Sequence, residues 1–231
     1  MISLVVVAHN AEHMLKARLS DFVRQFDDVT VVDDGSVDET AEYVTTHFDT
    51  CRLIQNPAYL GFARSVNRGV SLATHKWVLI CDVDTDIGPI DNTALTTLLN
   101  QPKLGLITLT SKTFLINTAA LLDINGLDPL FDPFDCLLDD LTDRLNANGY
   151  TATNSTCIPI ISLTETPYIY AYFEPKLLQT FKKRNTLLLR WRRCRTWYQV
   201  VYAVLCALKP FFTLQIRQSR VVVLSLRALM R

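Results

Sequence analysis

Short apolar runs alternate along this chain with segments whose apolar residues recur at helical spacing. The first two of these runs are rich in β-branched residues. The runs predict four strands, at residues 3–8, 29–32, 52–55 and 77–81. The segments between them predict three helices, at residues 11–26, 36–48 and 60–74. The second helix is expected to begin at a capping box formed by Ser36 and Glu39. Repeated strand–helix units of this length build an open, mostly parallel α/β sheet flanked by helices.

Polar residues stand directly after three of the predicted strands. They are, in chain order, His9 and Asn10, Asp33 and Asp34, and Asp82 and Asp84. Because ligands of open α/β sheets bind beyond the carboxyl ends of the strands, we expect these side chains to share one crevice. Four carboxylates in one crevice repel one another unless a divalent cation and a bound ligand offset their charge, and oxygen ligands suit Mn²⁺ or Mg²⁺. The simpler interpretation of the last pair is an acidic end of a loop.

The cysteines and the amino-terminal residues bear on the compartment. The six cysteines are scattered without metal-binding spacing, which favours reduced thiols over a disulfide framework or a zinc site. The opening residues have no basic segment, and their apolar run is too short for a signal peptide. No stretch reaches the roughly 18 apolar residues that cross a bilayer. A cytosolic protein is expected.

Charge is distributed unevenly along the chain, although the net charge is zero. Residues 1–175 hold all 23 acidic residues and ten basic ones, a net charge of −13. Residues 176–231 hold the other 13 basic residues and no acidic residue. We therefore predict two units: a domain over residues 1–175 and a basic, apolar helical tail over residues 176–231.

The tail interleaves Lys and Arg with Leu, Val, Trp and Tyr, a composition that suits the headgroup region of a membrane. Nucleic-acid binding is the less favoured interpretation, because phosphate contacts do not require so many Leu and Val residues. A helix that packs on the domain, or on a second copy in a homodimer, is the structural alternative. The expected location is cytoplasmic, with peripheral attachment to the inner face of the plasma membrane.

Several ordered motifs in the first 150 residues resemble those of inverting family 2 glycosyltransferases of the GT-A fold, among them rhamnosyl and polysaccharide-biosynthesis enzymes. Residues 3–12, SLVVVAHNAE, resemble the opening strand and turn of that family, with a His in place of its usual Tyr. Residues 31–38, VVDDGSVD, match its VDDGSxD segment, and residues 56–69 resemble its glycine-containing helix. The acids of residues 82–84 fall at its DxD metal motif, and residues 114–128 resemble its acceptor-side stretch.

This resemblance implies a role for each matching residue. Those expected to line the nucleotide-sugar pocket are Ala8, His9, Glu12, Asp33, Asp34, Asn67 and Asp82. Within this set, Asp34 would hydrogen-bond the base, Asp33 would support its loop, and Asp82 would approach the ribose or the sugar. Asp84 would ligate the Mn²⁺ or Mg²⁺ that bridges the diphosphate, where a Lewis acid stabilises the leaving group.

The sequence departs from the family at the catalytic base. Residues 137–144, LLDDLTDR, stand where the family carries E-D-x-D-L-x-x-R, so two leucines replace the Glu-Asp pair at which the base normally lies. A base is needed because the acceptor hydroxyl loses its proton as it attacks the anomeric carbon. Asp140 matches the second acid of the motif, and Asp139 is the expected base, with Asp132 and Asp135 as alternatives. The simpler role of Asp139 is to stabilise the start of a helix.

With this resemblance, the sequence is interpreted as that of a metal-dependent, inverting GT-A glycosyltransferase. Its donor is expected to be a UDP-, dTDP- or GDP-linked sugar, and its acceptor a hydroxyl of a lipid-linked or cell-envelope polysaccharide. The alternative is a GT-A-like domain that lacks a base and binds sugar nucleotides, with a tail for membrane or protein contacts. A nucleotidyltransferase is the weaker alternative, because the chain lacks the Gly-rich, basic loop of that class after its first strand.

Overall fold

The structure is a computed structural model that describes residues 1–132, 136–162 and 173–194. Within these ranges the strands are β1 (Ser3–Ala8), β2 (Val29–Asp33), β3 (Arg52–Gln55), β4 (Trp77–Asp82), β5 (Thr85–Ile87), β6 (Leu104–Thr108), β7 (Phe114–Asn117), β8 (Thr151–Asn154) and β9 (Ile160–Ser162). Seven of them form one sheet in the order β3-β2-β1-β4-β7-β6-β8, and β5 pairs with β9. The first four strands of that order are parallel, whereas β7 is antiparallel to both of its neighbours. The predicted open, mostly parallel sheet is confirmed.

Helices cover both faces of this sheet. They are α1 (Glu12–Gln25), α2 (Thr40–His47), α3 (Phe62–Ser71), α4 (Asn92–Leu99), α5 (Thr118–Asp123), α6 (Leu137–Ala147) and α7 (Pro175–Arg193), with a 3₁₀ turn at Pro129–Phe131. The apolar stripe of α1, with Leu15 and Leu19, closes one core, and that of α3, with Val66 and Val70, closes the other. The side chains of β1 alternate between the two cores, as the two-residue period of a strand requires.

The helix α2 begins at Thr40, so the predicted capping box at Ser36 is wrong. The hydroxyl of Ser36 accepts a hydrogen bond from the backbone N–H of Asn10 at 2.8 Å. Asp38 accepts one from the backbone N–H of Thr40 at 3.1 Å. Ser36 therefore joins two loops at the edge of the sheet. Asp38, two residues nearer to the helix, accepts the hydrogen bond from the first residue of α2.

The helix α7, with which the predicted tail opens, packs on the domain. It buries Leu188 and Leu189 in the core on the α3 side of the sheet. The amide of Asn185 donates to the carbonyl of Phe131 at 2.7 Å, and this asparagine is fully buried. The predicted boundary at residue 176 thus falls inside a helix that packs against the sheet, and residues 195–231 lie outside the described residues. No helix in the described ranges combines the length and the apolar character that a bilayer crossing needs.

Candidate active site

The carboxyl ends of β1, β2 and β4 lie side by side at one edge of the sheet. In the parallel register, Ala8 of β1 is paired with Asp33 of β2, and Val7 of β1 is paired with Asp82 of β4. Since neighbouring strands are about 4.8 Å apart, the three strand ends meet within roughly 10 Å. Asp33 and Asp82 are only 4% and 8% exposed. The structure therefore brings together the crevice residues that these strands carry.

Hydrogen bonds tie together the loops that follow β1 and β2. The ring Nδ1–H of His9 donates to the backbone carbonyl of Asp34 at 2.8 Å, which selects the tautomer protonated at Nδ1. The side-chain carbonyl of Asn10 accepts from the backbone N–H of Val37 at 2.8 Å. Asn10 has a φ of 49°, a backbone conformation that asparagine adopts more readily than most residues. The two loops thus form a preorganised rim for the crevice.

The carboxylate of Asp34 is buried and holds the loop that follows β3. Its Oδ1 accepts from the side-chain amide of Asn56 and from the backbone N–H of Leu60, both at 2.8 Å. Its Oδ2 accepts from the backbone N–H of Gly61 at 2.9 Å. A carboxylate offers about four acceptor positions, so most of those of Asp34 are used inside the protein. Asp34 is the anchor of this loop, and its contact with a nucleobase stays a prediction.

A second carboxylate, that of Asp132, lies on the other side of Gly61. Its Oδ1 accepts from the backbone N–H of Ala63 at 3.0 Å, at the start of α3. Its Oδ2 is buried and has no hydrogen-bond partner among the described residues. A methyl group on Gly61 would lie 2.6 Å from that oxygen, so glycine alone leaves it room. Burial, more than the hydrogen bond and nearby charges, raises the pKa of the Asp132 carboxyl to about 7.

Aromatic rings lead from the crevice to α7. The ring centroids of His9 and Tyr59 are 5.2 Å apart, those of Tyr59 and Phe173 are 6.1 Å apart, and those of Phe173 and Phe181 are 6.0 Å apart, all edge to face. Tyr59 stays partly exposed at the rim. Tyr59 could not be predicted from the sequence, because neither its spacing nor its neighbours set it apart from other loop tyrosines.

Asp84, the predicted metal ligand, is fully buried and paired with a lysine. The Nζ of Lys112 donates to both carboxylate oxygens of Asp84, each at 2.7 Å. Lys112 is itself nearly completely buried and stands on the turn between β6 and β7. This lysine could not be predicted from the sequence, because it lies 28 residues from Asp84 and belongs to no motif that points to the crevice.

The two acids predicted for catalysis lie in the first turn of α6, in different surroundings. Asp140 is buried and accepts from the Nε of Arg144 at 2.8 Å and from the guanidinium of Arg192 on α7. Asp139 is exposed, and its carboxylate lies 3.6 Å from the guanidinium of Arg193. Asp140 therefore joins α6 to α7 as the acidic centre of two ion pairs, which leaves its oxygens poorly placed to act as a base. The role of Asp139 stays a prediction.

Asn67 and Glu12 are engaged in contacts within the protein. The side-chain amide of Asn67 donates to the backbone carbonyl of Leu127 at 2.9 Å and accepts from its N–H at 2.8 Å. These bonds fasten α3 to the turn before Pro129–Phe131. Glu12 pairs with Lys16 one helical turn later. The nucleotide contacts expected of both residues stay predictions.

The family model of Glycosyl transferase family 2 matches residues 3–111, which is 109 of the 231 residues. The match contains the three strand ends of the crevice together with Asp84. Residues 3–111 belong to glycosyl transferase family 2. The expected family is thus confirmed for the part of the chain that builds the crevice. No curated protein matches the chain significantly.

Several solved structures share the fold of this glycosyltransferase domain. Mannosyltransferase PcManGT from Pyrobaculum calidifontis, in complex with GDP-Man and Mn²⁺, is 16% identical with a TM-score of 0.60, over 99% of this chain and 74% of that one. Glucosyl-3-phosphoglycerate synthase from Mycobacterium tuberculosis, in complex with Mn²⁺, UDP and glucosyl-3-phosphoglycerate, is 16% identical with a TM-score of 0.57, over 84% and 80%. S. aureus TarS 1–349, in complex with UDP-GlcNAc, is 15% identical with a TM-score of 0.63, over 88% and 69%. At these identities the likeness is one of fold, and the fold is GT-A.

A divalent cation does not fit Asp84 in the arrangement that this glycosyltransferase domain adopts. Two of the neighbours hold Mn²⁺, but here an ammonium group occupies both oxygens of the carboxylate. Within the described ranges, no group of three or more His, Cys, Asp or Glu side chains is placed to hold a metal ion. Asp84 is the buried partner of Lys112. Its expected role as a metal ligand stays a prediction.

Proposed function

We propose that the protein transfers a sugar from a nucleoside-diphosphate donor to a hydroxyl group of an acceptor, with inversion at the anomeric carbon. The observation that carries this proposal is the crevice at the carboxyl ends of β1, β2 and β4, inside the family 2 match. Neighbours in complex with GDP-Man, UDP and UDP-GlcNAc support a nucleotide sugar as the donor. UDP-, GDP- and dTDP-linked sugars are the donors to test.

The donor pocket that we propose uses the set expected from the sequence. Its members are Ala8, His9, Glu12, Asp33, Asp34, Asn67 and Asp82. Asp82 has the strongest support for direct contact, because it ends β4 at the shared edge and is 8% exposed there. Asp34 acts through the loop that it holds, since three backbone and side-chain donors already use its oxygens. The pocket is thus formed by strand ends and kept in shape by buried hydrogen bonds.

The base that we propose is Asp132. In the transfer, the acceptor oxygen bonds to the anomeric carbon, the bond from that carbon to the diphosphate breaks, and the hydroxyl proton passes to the base. Three features support Asp132: its position across Gly61 from Asp34, its oxygen without a partner among the described residues, and its pKa of about 7. Asp139 is the alternative, supported by its exposure to solvent. Asp135 lies outside the described residues.

Donor binding tests the proposal without an acceptor. We expect one of UDP, GDP and dTDP, or its sugar conjugate, to bind the full chain in calorimetric titrations with Mn²⁺ present. The variant Asp82→Asn should weaken that binding by about tenfold or more, because a hydrogen bond to a charged group contributes about 1.5–3 kcal/mol. The matched control is Asp86→Asn, which changes an exposed carboxylate on β5 that pairs with Arg18.

Two results would contradict the assignment of the donor site. In the first, no nucleotide or nucleotide sugar of the three bases binds. In the second, Asp82→Asn and Asp86→Asn lower the affinity equally, so that the effect cannot come from the edge of the sheet. Equal melting temperatures of the two variants show that folding does not account for a difference in affinity.

For the acceptor, we propose a lipid-linked or cell-envelope polysaccharide intermediate at the inner face of the plasma membrane. The support is the composition of the tail, which holds 13 basic residues and no acidic residue. On α7 the exposed side chains include Lys176, Leu177, Lys182 and Lys183. Basic residues near an anionic bilayer each contribute about 1 kcal/mol of binding. The charge and the apolar content together favour a lipid surface over nucleic acid.

Vesicle binding checks this attachment. We expect the full chain to sediment with vesicles that contain anionic phospholipid and to remain in solution with purely zwitterionic vesicles. Replacing Lys182 and Lys183 with glutamine should weaken the binding by about thirtyfold, since two charges contribute about 2 kcal/mol. The control replaces Lys76 and Lys103, two exposed lysines of the catalytic domain, in the same way. Equal loss in both double variants, or equal binding to both kinds of vesicle, would refute a membrane surface for the tail.

A further inference from the structure

The ion pair between Lys112 and Asp84 is buried just beyond the end of β4. Lys112 stands on a tight turn in which the hydroxyl of Thr110 accepts from the backbone N–H of Lys112 at 3.2 Å and from that of Thr113 at 3.0 Å. The backbone N–H of Leu109 donates to the carbonyl of Thr113 at 3.1 Å, which closes the turn. The lysine is therefore presented from a fixed backbone, and its ammonium group meets both oxygens of Asp84.

Burial makes this pair a strong competitor for any cation. Neither an ammonium group nor a carboxylate is stable inside a protein unless a partner of opposite charge offsets the loss of water. A divalent cation at Asp84 would bind the oxygens that the ammonium group already contacts, and it would stand a few ångströms from that group, which repels it. The ammonium group, in turn, would lose the carboxylate that stabilises it in the interior. Occupation of Asp84 by a metal therefore requires the rearrangement of a buried ion pair.

We propose that Lys112 supplies the positive charge at the Asp-Val-Asp segment that a divalent cation supplies elsewhere in the family, so that nucleotide-sugar binding by this enzyme does not depend on a cation at Asp84. This inference rests on the proposed transfer from a nucleotide sugar. It makes Lys112 a positioning residue: it holds Asp84 just beyond the end of β4, two residues from Asp82, and offsets the charge of Asp84 without a metal.

Binding of the metal alone gives the first test. Mn²⁺ is titrated into the full chain, and the free ion is followed by its electron paramagnetic resonance signal. We expect wild type and Asp84→Asn to give the same titration, with no site that depends on Asp84. The Lys112→Met variant removes the ammonium group from the carboxylate of Asp84 and should gain a Mn²⁺ site, which the double variant Lys112→Met with Asp84→Asn should lack. A Mn²⁺ site in wild type that Asp84→Asn removes overturns the inference, even if Lys112→Met does not fold.

Nucleotide binding gives the second test. UDP, GDP and dTDP are titrated into wild type with EDTA and, separately, with Mn²⁺. We expect the nucleotide that binds to do so with affinities within about threefold of each other in the two buffers. A loss of tenfold or more in EDTA, absent from Asp84→Asn, overturns the inference. If no nucleotide binds in either buffer, the proposed donor site fails, and the Mn²⁺ titration still decides the role of Lys112.

Discussion

The variant Asp132→Asn is expected to lose 10²–10⁴-fold in the turnover of sugar transfer, the usual contribution of a general base. Its affinity for the donor nucleotide should be unchanged. Asparagine keeps the size of the side chain and can still accept the hydrogen bond from the backbone N–H of Ala63, but it cannot take up a proton. The measurement is single-turnover transfer from the donor that binds, with nucleotide affinity measured in parallel by calorimetry.

The pH dependence gives an independent readout of Asp132. Because the pKa of this carboxyl is raised to about 7, the wild-type rate should rise through that pH and then level off, as it does for a base that must be ionised. Stability should change in the opposite direction. The folded state keeps a proton that the unfolded state releases between about pH 4 and 7, so the wild type loses stability as the pH rises through this window. Thermal unfolding at pH 5 and pH 8 should show this loss in wild type and not in Asp132→Asn.

Asp139→Asn is the matched control for these experiments. It removes an exposed carboxylate beside Arg193, and we expect its turnover and its pH profile to follow those of wild type. The opposite pattern, in which Asp139→Asn loses turnover and Asp132→Asn keeps it, would assign the base to Asp139. Our interpretation of the crevice would then be wrong on this point, while the donor site would stand.

The variant Lys112→Met should lower the free energy of unfolding by about 3–5 kcal/mol, because it removes the cation that contacts both oxygens of the buried Asp84 carboxylate. For a chain of this size, that corresponds to a fall of roughly 6–20 °C in melting temperature. Differential scanning calorimetry of the purified variant measures it.

A double variant separates the charge from the packing. In Lys112→Met with Asp84→Leu, both charges are replaced by apolar groups, and most of the lost stability should return. Lys16→Met provides the surface control, since Lys16 pairs with Glu12 in solvent, and it should leave the melting temperature unchanged. A single variant as stable as wild type would show that the pair is not closed off from water.

The strands and the crevice edge were predictable from the sequence for a definite physical reason. A strand buried on both faces needs a continuous apolar run. The runs at residues 3–8 and 77–81 are of this kind, and both form buried strands of the sheet. The polar residues that end these runs then meet wherever parallel strands meet. The family match within residues 3–111 agrees with this reasoning from local pattern. The start of α2 was missed because Ser36 had a partner outside its own helix.

Three features depended on the folded chain. Lys112 contacts Asp84 only because β7 pairs with β4, which places the turn between β6 and β7 beside the end of β4. Asp132 acquires its pKa from burial against Gly61 and Ala63, which the chain supplies some 70 residues earlier. The basic helix α7, which its composition alone assigns to a surface, is held on the domain by buried Asn185 and its apolar neighbours.

Taken by itself, the sequence determined the class of fold, the polar residues that follow the parallel strands, and the family, since each of these depends on patterns within short segments. The tertiary structure alone decided which carboxylates are used internally, which one lacks a partner among the described residues, and which cation faces Asp84. Those properties depend on desolvation and on contacts between residues far apart in the chain. No local pattern contains them, because the dielectric environment of a charge arises only when the surrounding chain has packed.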